Sequence, residues 1–195
     1  MSEYDKAYFE DGTKCGYKGY TWERLRSMFE PTAKHIVTTF HPQRLLDCGC
    51  AKGFLVKSVC DLGVTAEGCD ISKYAISQSP VPTRVRVADI TDLPYEDRSF
   101  DVVTCLDTLE HLDHPEEAIG ELRRVSSKWI LIHVWTEEAP DFFDVTHRRP
   151  PKKYGEWVKM MVNDEWEAVD IKPYMGNVSW FRCKEMVIIL RRIEK

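Results

Sequence analysis

A phosphate-binding turn would need a middle glycine at Ala51 or Lys52, between Gly49 and Gly53, and neither position has one. That breaks the G-x-G-x-x-G spacing by which a strand–turn–helix unit brings its backbone against a dinucleotide pyrophosphate. Lys52 is followed by Gly53 rather than Ser or Thr, so a G-x-x-x-x-G-K-[ST] loop is absent too. None of the seven cysteines forms a C-x-x-C pair, and no metal site is expected. No apolar run approaches the ~20 residues that span a bilayer, so no membrane partner is expected. The opening MSEYDKAYFE is polar and acidic, unlike a signal peptide. Positive charge is not in excess: the formal net charge is -5, which predicts no general affinity for nucleic acid. An odd number of cysteines, several inside strand-like segments, suits a reducing cytoplasm.

What is present is organised around Arg44-Leu45-Leu46-Asp47-Cys48-Gly49-Cys50-Ala51-Lys52-Gly53-Phe54. Leu45 and Leu46 make a short apolar strand. Gly49 and Gly53 mark a tight turn, and a helix follows. Such a junction presents backbone N–H groups at the edge where open α/β sheets bind ligands. Without the middle glycine, the turn suits a smaller, nucleoside-like ligand better than a pyrophosphate. Asp70 ends a second strand about twenty residues on, where nucleoside-binding folds hold ribose hydroxyls. One carboxylate can accept from both hydroxyls. A third strand ends at Asp89, and Phe100 to Leu112 reads as a fourth strand running into a loop.

The 195 residues suit one domain, with 1–43 as an N-terminal helical or lid extension and 44–195 as the sheet core. The aromatics Tyr4, Tyr8, Phe9, Tyr17 and Tyr20 suggest that the first twenty residues fold over something. Thr21 is a helix cap, and Pro31 a break in the helix that follows. Strands are expected at 44–48, 65–69, 83–88, 101–106, 128–135, 167–172 and 185–191. Ser72 should cap a short helix, and Pro115 should open another. Alternating strands and helices predict a doubly wound, mostly parallel sheet covered on both faces.

Four segments, LLDCGCAKG, GCDIS, VADITDLPYEDRSFDVV and CLDTLEHLDHPEEAIGELRRV, closely resemble the class I S-adenosylmethionine-dependent methyltransferases of the small methyltransferase-domain type. They span about half the chain in that family's order. The resemblance implies an α/β, Rossmann-like, seven-stranded sheet with a C-terminal antiparallel strand, and S-adenosyl-L-methionine as cofactor. It implies Asp70 on the ribose, Asp89 and the Ile90 backbone at the adenine amine, and Ile71 on the adenine face. It places Gly49 and the Leu106 carbonyl beside the methionine amine. Asp47 and Gly53 belong to the supporting turn, with Asp47 there or reaching the amine through water. Tyr17 and Tyr20 would reach the methionine carboxylate or the acceptor, or pack on the sheet edge.

Methyl transfer needs an aligned nucleophile, deprotonated where necessary. His111, His133 and His147 are the candidate bases, and Asp107 and Glu110 could orient one. Each also has a plain structural role open to it, in a loop or in the core. No N-P-P-Y or D-P-P-Y turn follows the fourth strand, which disfavours methylation of nucleobase amines. The expected reaction is methylation of an oxygen or nitrogen on a small molecule, such as a sugar or nucleotide sugar. The basic run from His147 to Lys153 would suit an anionic acceptor. Two other readings remain: a non-catalytic methyltransferase-like binding subunit, and a nicotinamide-dependent oxidoreductase.

Overall fold

The computed structural model describes residues 4–11, 14, 19–137, 144, 146, 147, 151–169 and 187–194. The helices are α1 (Lys6–Glu10), α2 (Trp22–Phe40), α3 (Phe54–Asp61), α4 (Lys73–Ser77), α5 (Pro115–Val125) and α6 (Tyr154–Met161). The strands are β1 (Arg44–Cys48), β2 (Thr65–Asp70), β3 (Val85–Val87), β4 (Phe100–Leu106), β5 (Ser126–His133), β6 (Trp166–Ala168) and β7 (Val187–Arg192). They form one seven-stranded sheet in the order β3-β2-β1-β4-β5-β7-β6. The pairs from β3 through β5 are parallel, and β7 runs antiparallel to both β5 and β6. This is the doubly wound, Rossmann-like arrangement expected from the alternation of elements.

Side-chain alternation divides the core between the two faces of the sheet. Leu45, Val102, Leu131 and Ile189 share one cluster with Phe29, Ala33 and Ile36 of α2 and Phe54 and Leu55 of α3. Leu46, Val103, Ile130 and Leu190 share the other with Ile119 and Leu122 of α5 and Trp157 and Met161 of α6. The register fixes this division, because Leu45 lies opposite Val102 while Leu46 lies opposite Val103. A slip of one residue would turn each set to the wrong face.

Three expectations need correction. The helix α2 does not break at Pro31 but continues to Phe40. Pro31 and Ser27 are both exposed, so the carbonyl that loses its helical N–H partner lies toward water. The buried stripe of Phe29, Ala33, Ile36 and Phe40 keeps the helix continuous across that gap. Thr21 occupies the N-cap position of α2, but its hydroxyl makes no capping bond. Strand β3 is three residues long, with Val85 buried and Val87 exposed. The described parts of the last two strands fall at 166–168 and 187–192.

Other expected caps form. The Ser72 hydroxyl accepts from the Ala75 N–H, and Pro115 sits at the start of α5. The described cysteines Cys48, Cys50, Cys60, Cys69 and Cys105 are free thiols. Among the described residues, no helix is long and apolar enough to cross a membrane.

Candidate functional site

The sheet reverses direction of winding between β1 and β4, and the C-terminal ends of these strands form a crevice there. The turn after β1 builds its floor. Gly49 and Gly53 adopt φ of +77° and +75°, in the left-handed region. A Cβ on Gly49 would lie 2.1 Å from Thr108 Oγ1, and one on Gly53 would lie 2.8 Å from Val85 Cγ1. Close approach as well as conformation therefore demands glycine at both. Ala51, between them, is also left-handed at φ +50°. The Gly49 and Cys50 N–H groups both donate to the Cys69 carbonyl, at 2.8 and 2.9 Å. The Ala51 N–H donates to Asp70 Oδ2 at 2.8 Å.

Asp70 sits at the end of β2, half-buried, with Oδ1 accepting from the Ser72 N–H at 2.7 Å. Burial pushes its pKa up, and the Ser72 and Ala51 N–H groups pull it partly back. Each oxygen keeps a lone pair for a ligand hydroxyl. Beside Asp70, Ile71 and Val87 are 52% and 45% exposed, so apolar surface lies open next to the carboxylate. Asp89 Oδ1 accepts from the Thr91 N–H and hydroxyl, and Ile90 is buried. The Leu106 carbonyl accepts from Thr108 Oγ1 at 3.0 Å. Asp47 is buried, and its Oδ1 accepts from Thr104 Oγ1 at 2.7 Å. Burial pushes Asp47 up to about 7; the Thr104 bond opposes this, and the nearby Asp70 charge adds to it.

Residues of the short helix α1 and Tyr4 just before it bond to both sides of the crevice. The Ser72 hydroxyl donates to the Tyr4 carbonyl at 2.6 Å. The buried Lys52 lies 3.6 Å from Glu10, which also accepts from the Tyr74 hydroxyl. On the other side, the Tyr8 hydroxyl donates to Asp144 Oδ2 at 2.9 Å. Tyr20 is buried, stacked on Phe54 with centroids 5.4 Å apart, and its N–H donates to the Phe9 carbonyl. Tyr17 lies outside the described residues.

All three candidate histidines gather at the ends of β4 and β5. His133 closes β5, and its Nδ1 pairs with Asp107 Oδ1. The Asp107 N–H also donates to the His133 carbonyl at 2.9 Å, tying the two strand ends together. Glu110 and His111 lie in the single turn Leu109–His111, both buried. Glu110 Oε1 accepts from the Trp135 N–H at 3.0 Å. Burial pushes the Glu110 carboxyl up, and the Asp107 charge adds to this. The His111 ring lies 4.8 Å from the His147 ring and 5.8 Å from that of Tyr4. Its Nδ1 lies 2.8 Å from Thr146 Oγ1, and burial pushes its pKa down. Trp135 covers His147 at 4.9 Å between centroids.

The sequence singled out the three histidines, Asp107 and Glu110. It gave no such part to Tyr8, Lys52 or Trp135. Tyr8 lies 136 positions from Asp144, and no local pattern links them. Of the basic run, Lys152 lies over the Trp157 ring and Lys153 lies 3.9 Å from Glu137. Arg148 and Arg149 lie outside the described residues.

Residues 46–128 match the family model described as a methyltransferase domain. With the sheet order and the turn at the switch point, this makes residues 46–128 similar to class I S-adenosylmethionine-dependent methyltransferase domains. Among particular relatives, the ubiquinone biosynthesis O-methyltransferase of Hahella chejuensis is 30% identical over 161 residues, covering 74% of this chain and 63% of that protein. The chain thus spans less than two thirds of that relative. A crystal structure of a putative methyltransferase from Bacillus halodurans superposes with a TM-score of 0.60 at 16% identity, over 84% of this chain and 94% of that one. The [4+2]-cyclase SpnF superposes with a TM-score of 0.65 at 16% identity, over 90% and 83%. These two likenesses establish the fold, which hosts more than one chemistry.

S-adenosylmethionine is the cofactor of this class, and the residues fit it. Asp70 offers accepting lone pairs at a strand end, and Ile71 and Val87 offer exposed apolar surface beside them. The buried Asp47, held near neutrality, is suited to a cationic partner such as an ammonium.

Proposed function

We propose that this domain transfers a methyl group from S-adenosylmethionine to an oxygen of a small-molecule acceptor. The observation that carries this reading is the pairing of the buried His133 with the half-buried Asp107 where β4 and β5 end beside the cofactor crevice. A hydroxyl is a weak nucleophile until its proton is removed, and an imidazole held by a carboxylate is a suitable acceptor for that proton. Asp107 bonds to Nδ1, so Nε2 of His133 is the atom to receive it. The relative named an O-methyltransferase supports oxygen over nitrogen as the methylated atom.

The cofactor supplies a methyl group already activated on a sulfonium. Asp70 would hold its ribose, Ile71 and Asp89 would flank its adenine, and Asp47 and the Gly49 turn would face its methionine amine. In such a displacement the acceptor oxygen would form the new bond to carbon, and the electrons of the broken carbon–sulfur bond would stay on sulfur. The acceptor proton goes to His133. The helix α1, bonded to both sides of the crevice, would limit the access of water. A sugar or nucleotide sugar remains within the acceptor class, in keeping with the basic sequence after His147.

Calorimetry with S-adenosylhomocysteine, on wild type and Asp70→Ala, tests the cofactor half. Two hydrogen bonds to a charged acceptor, at about 1.5–3 kcal/mol each, predict a loss of at least a hundredfold in affinity. Equal affinity in the two proteins would remove Asp70 from the site. For the base, His133→Gln should lower kcat by about 10²–10⁴ with cofactor affinity unchanged. Full turnover in that variant would sink His133 as proton acceptor.

A further inference from the structure

The cysteine spacing points away from a metal, but three other side chains of metal-binding type converge from two segments. One ligand atom each from Glu110, His111 and His147 lies within 4.8 Å of the others. Glu110 is 5% exposed, and while Oε1 accepts from Trp135, Oε2 is buried with no hydrogen-bond partner among the described residues. A buried carboxylate oxygen in that state is costly unless a proton or a cation satisfies it.

The His111 ring is oriented by a chain of bonds behind it. The Thr146 hydroxyl gives its single proton to Asp144 Oδ1, at 2.5 Å. The 2.8 Å contact between Thr146 Oγ1 and His111 Nδ1 is therefore donated by the imidazole. The neutral ring then carries its lone pair on Nε2. Asp144 is itself held by the Tyr8 hydroxyl. Outer hydrogen bonds of this kind fix the tautomer and angle of ligating histidines.

We propose that Glu110, His111 and His147 form a site for one first-row divalent cation, of the Zn²⁺, Co²⁺ or Fe²⁺ class. Two imidazoles and one carboxylate suit these ions and leave coordination positions open. Bonds of about 2.0–2.1 Å hold ligand atoms no more than about 4.2 Å apart, so the three side chains draw together slightly as the ion enters. At the acceptor end of the crevice, the ion would hold the acceptor oxygen and acidify its hydroxyl, with His133 receiving the proton. That use rests on the proposed methyl transfer; the cation site does not.

The test is a Co²⁺ titration of chelator-stripped protein, followed by visible absorption. Wild type should show a saturable band at one equivalent that Zn²⁺ abolishes. Glu110→Gln keeps an acceptor for the Trp135 N–H and should weaken Co²⁺ at least tenfold, as should His147→Gln. S-adenosylhomocysteine calorimetry on the same preparations reads the cofactor site separately. Retained nucleoside binding with no saturable band in wild type overturns the cation site alone. So does a band of unchanged affinity in both variants, which would place the cobalt elsewhere on the protein.

Discussion

Asp47 makes cofactor binding depend on pH in a direction that its surroundings dictate. Its carboxyl is buried and pushed up to about 7, so near pH 6 about nine in ten molecules hold it protonated. A cationic ligand beside it favours the carboxylate and must displace that proton. Between pH 6 and pH 8, affinity for S-adenosylhomocysteine should therefore rise about tenfold, or about 1.4 kcal/mol. Calorimetry in buffers of different ionisation enthalpy should record a proton released at pH 6 and almost none at pH 8. Asp47→Asn keeps an oxygen to accept from Thr104 and serves as the reference, because it retains any titration of the ligand itself. A wild-type pH profile parallel to that of the variant would refute the reasoning. Stability without ligand supplies a second check. The folded pKa lies above the unfolded value of 3.8, so the folded state binds more protons between about pH 4 and pH 7. This group therefore withdraws stability as pH rises through that window. Asp47→Asn should melt higher than wild type at pH 8, with the difference closing toward pH 5.

Other positions make separate predictions. Gly49→Ala should lower Tm sharply because its Cβ meets Thr108, and a Thr108→Ala background should recover part of the loss, leaving the cost of φ +77°. Ala51→Gly should be neutral or stabilising, by up to about 1 kcal/mol in urea unfolding, since it removes a left-handed alanine at the cost of a freer unfolded chain. Tyr8→Phe removes a buried bond to Asp144 and should reduce hydrogen-exchange protection of α1 at least tenfold, while β4 amides keep theirs.

The sheet from β1 to β5 was legible because its signals are local. Apolar runs end at glycine or at an acid, and amphipathic helices separate them. The apolar run of Leu45 and Leu46, within alternating strands and helices, pointed to a strand buried on both faces, and the two side chains do enter opposite clusters. Pro31 misled because a helix interior tolerates a missing bond on its wet side when the dry side is well packed. At the site, residue types were legible and partnerships were not. His133 meets Asp107 only because β4 and β5 end in register, and His111 meets Thr146 across 35 positions. The left-handed Ala51 carries no mark in the sequence, since alanine alone does not announce that its position favours glycine.

The place of β7 has a consequence for how the chain is made. Strand β5, whose Ile130, Leu131 and Ile132 are fully buried, pairs on one side with β4 and on the other with β7. Among the described strands, β7 comes last in sequence, and β6 joins the sheet through it alone. As synthesis proceeds from the N-terminus, a sticky apolar edge stands open from the appearance of β5 until β7 emerges. The nascent polypeptide is thus most prone to aggregate between the emergence of β5 and that of β7, after its cofactor crevice has already taken shape.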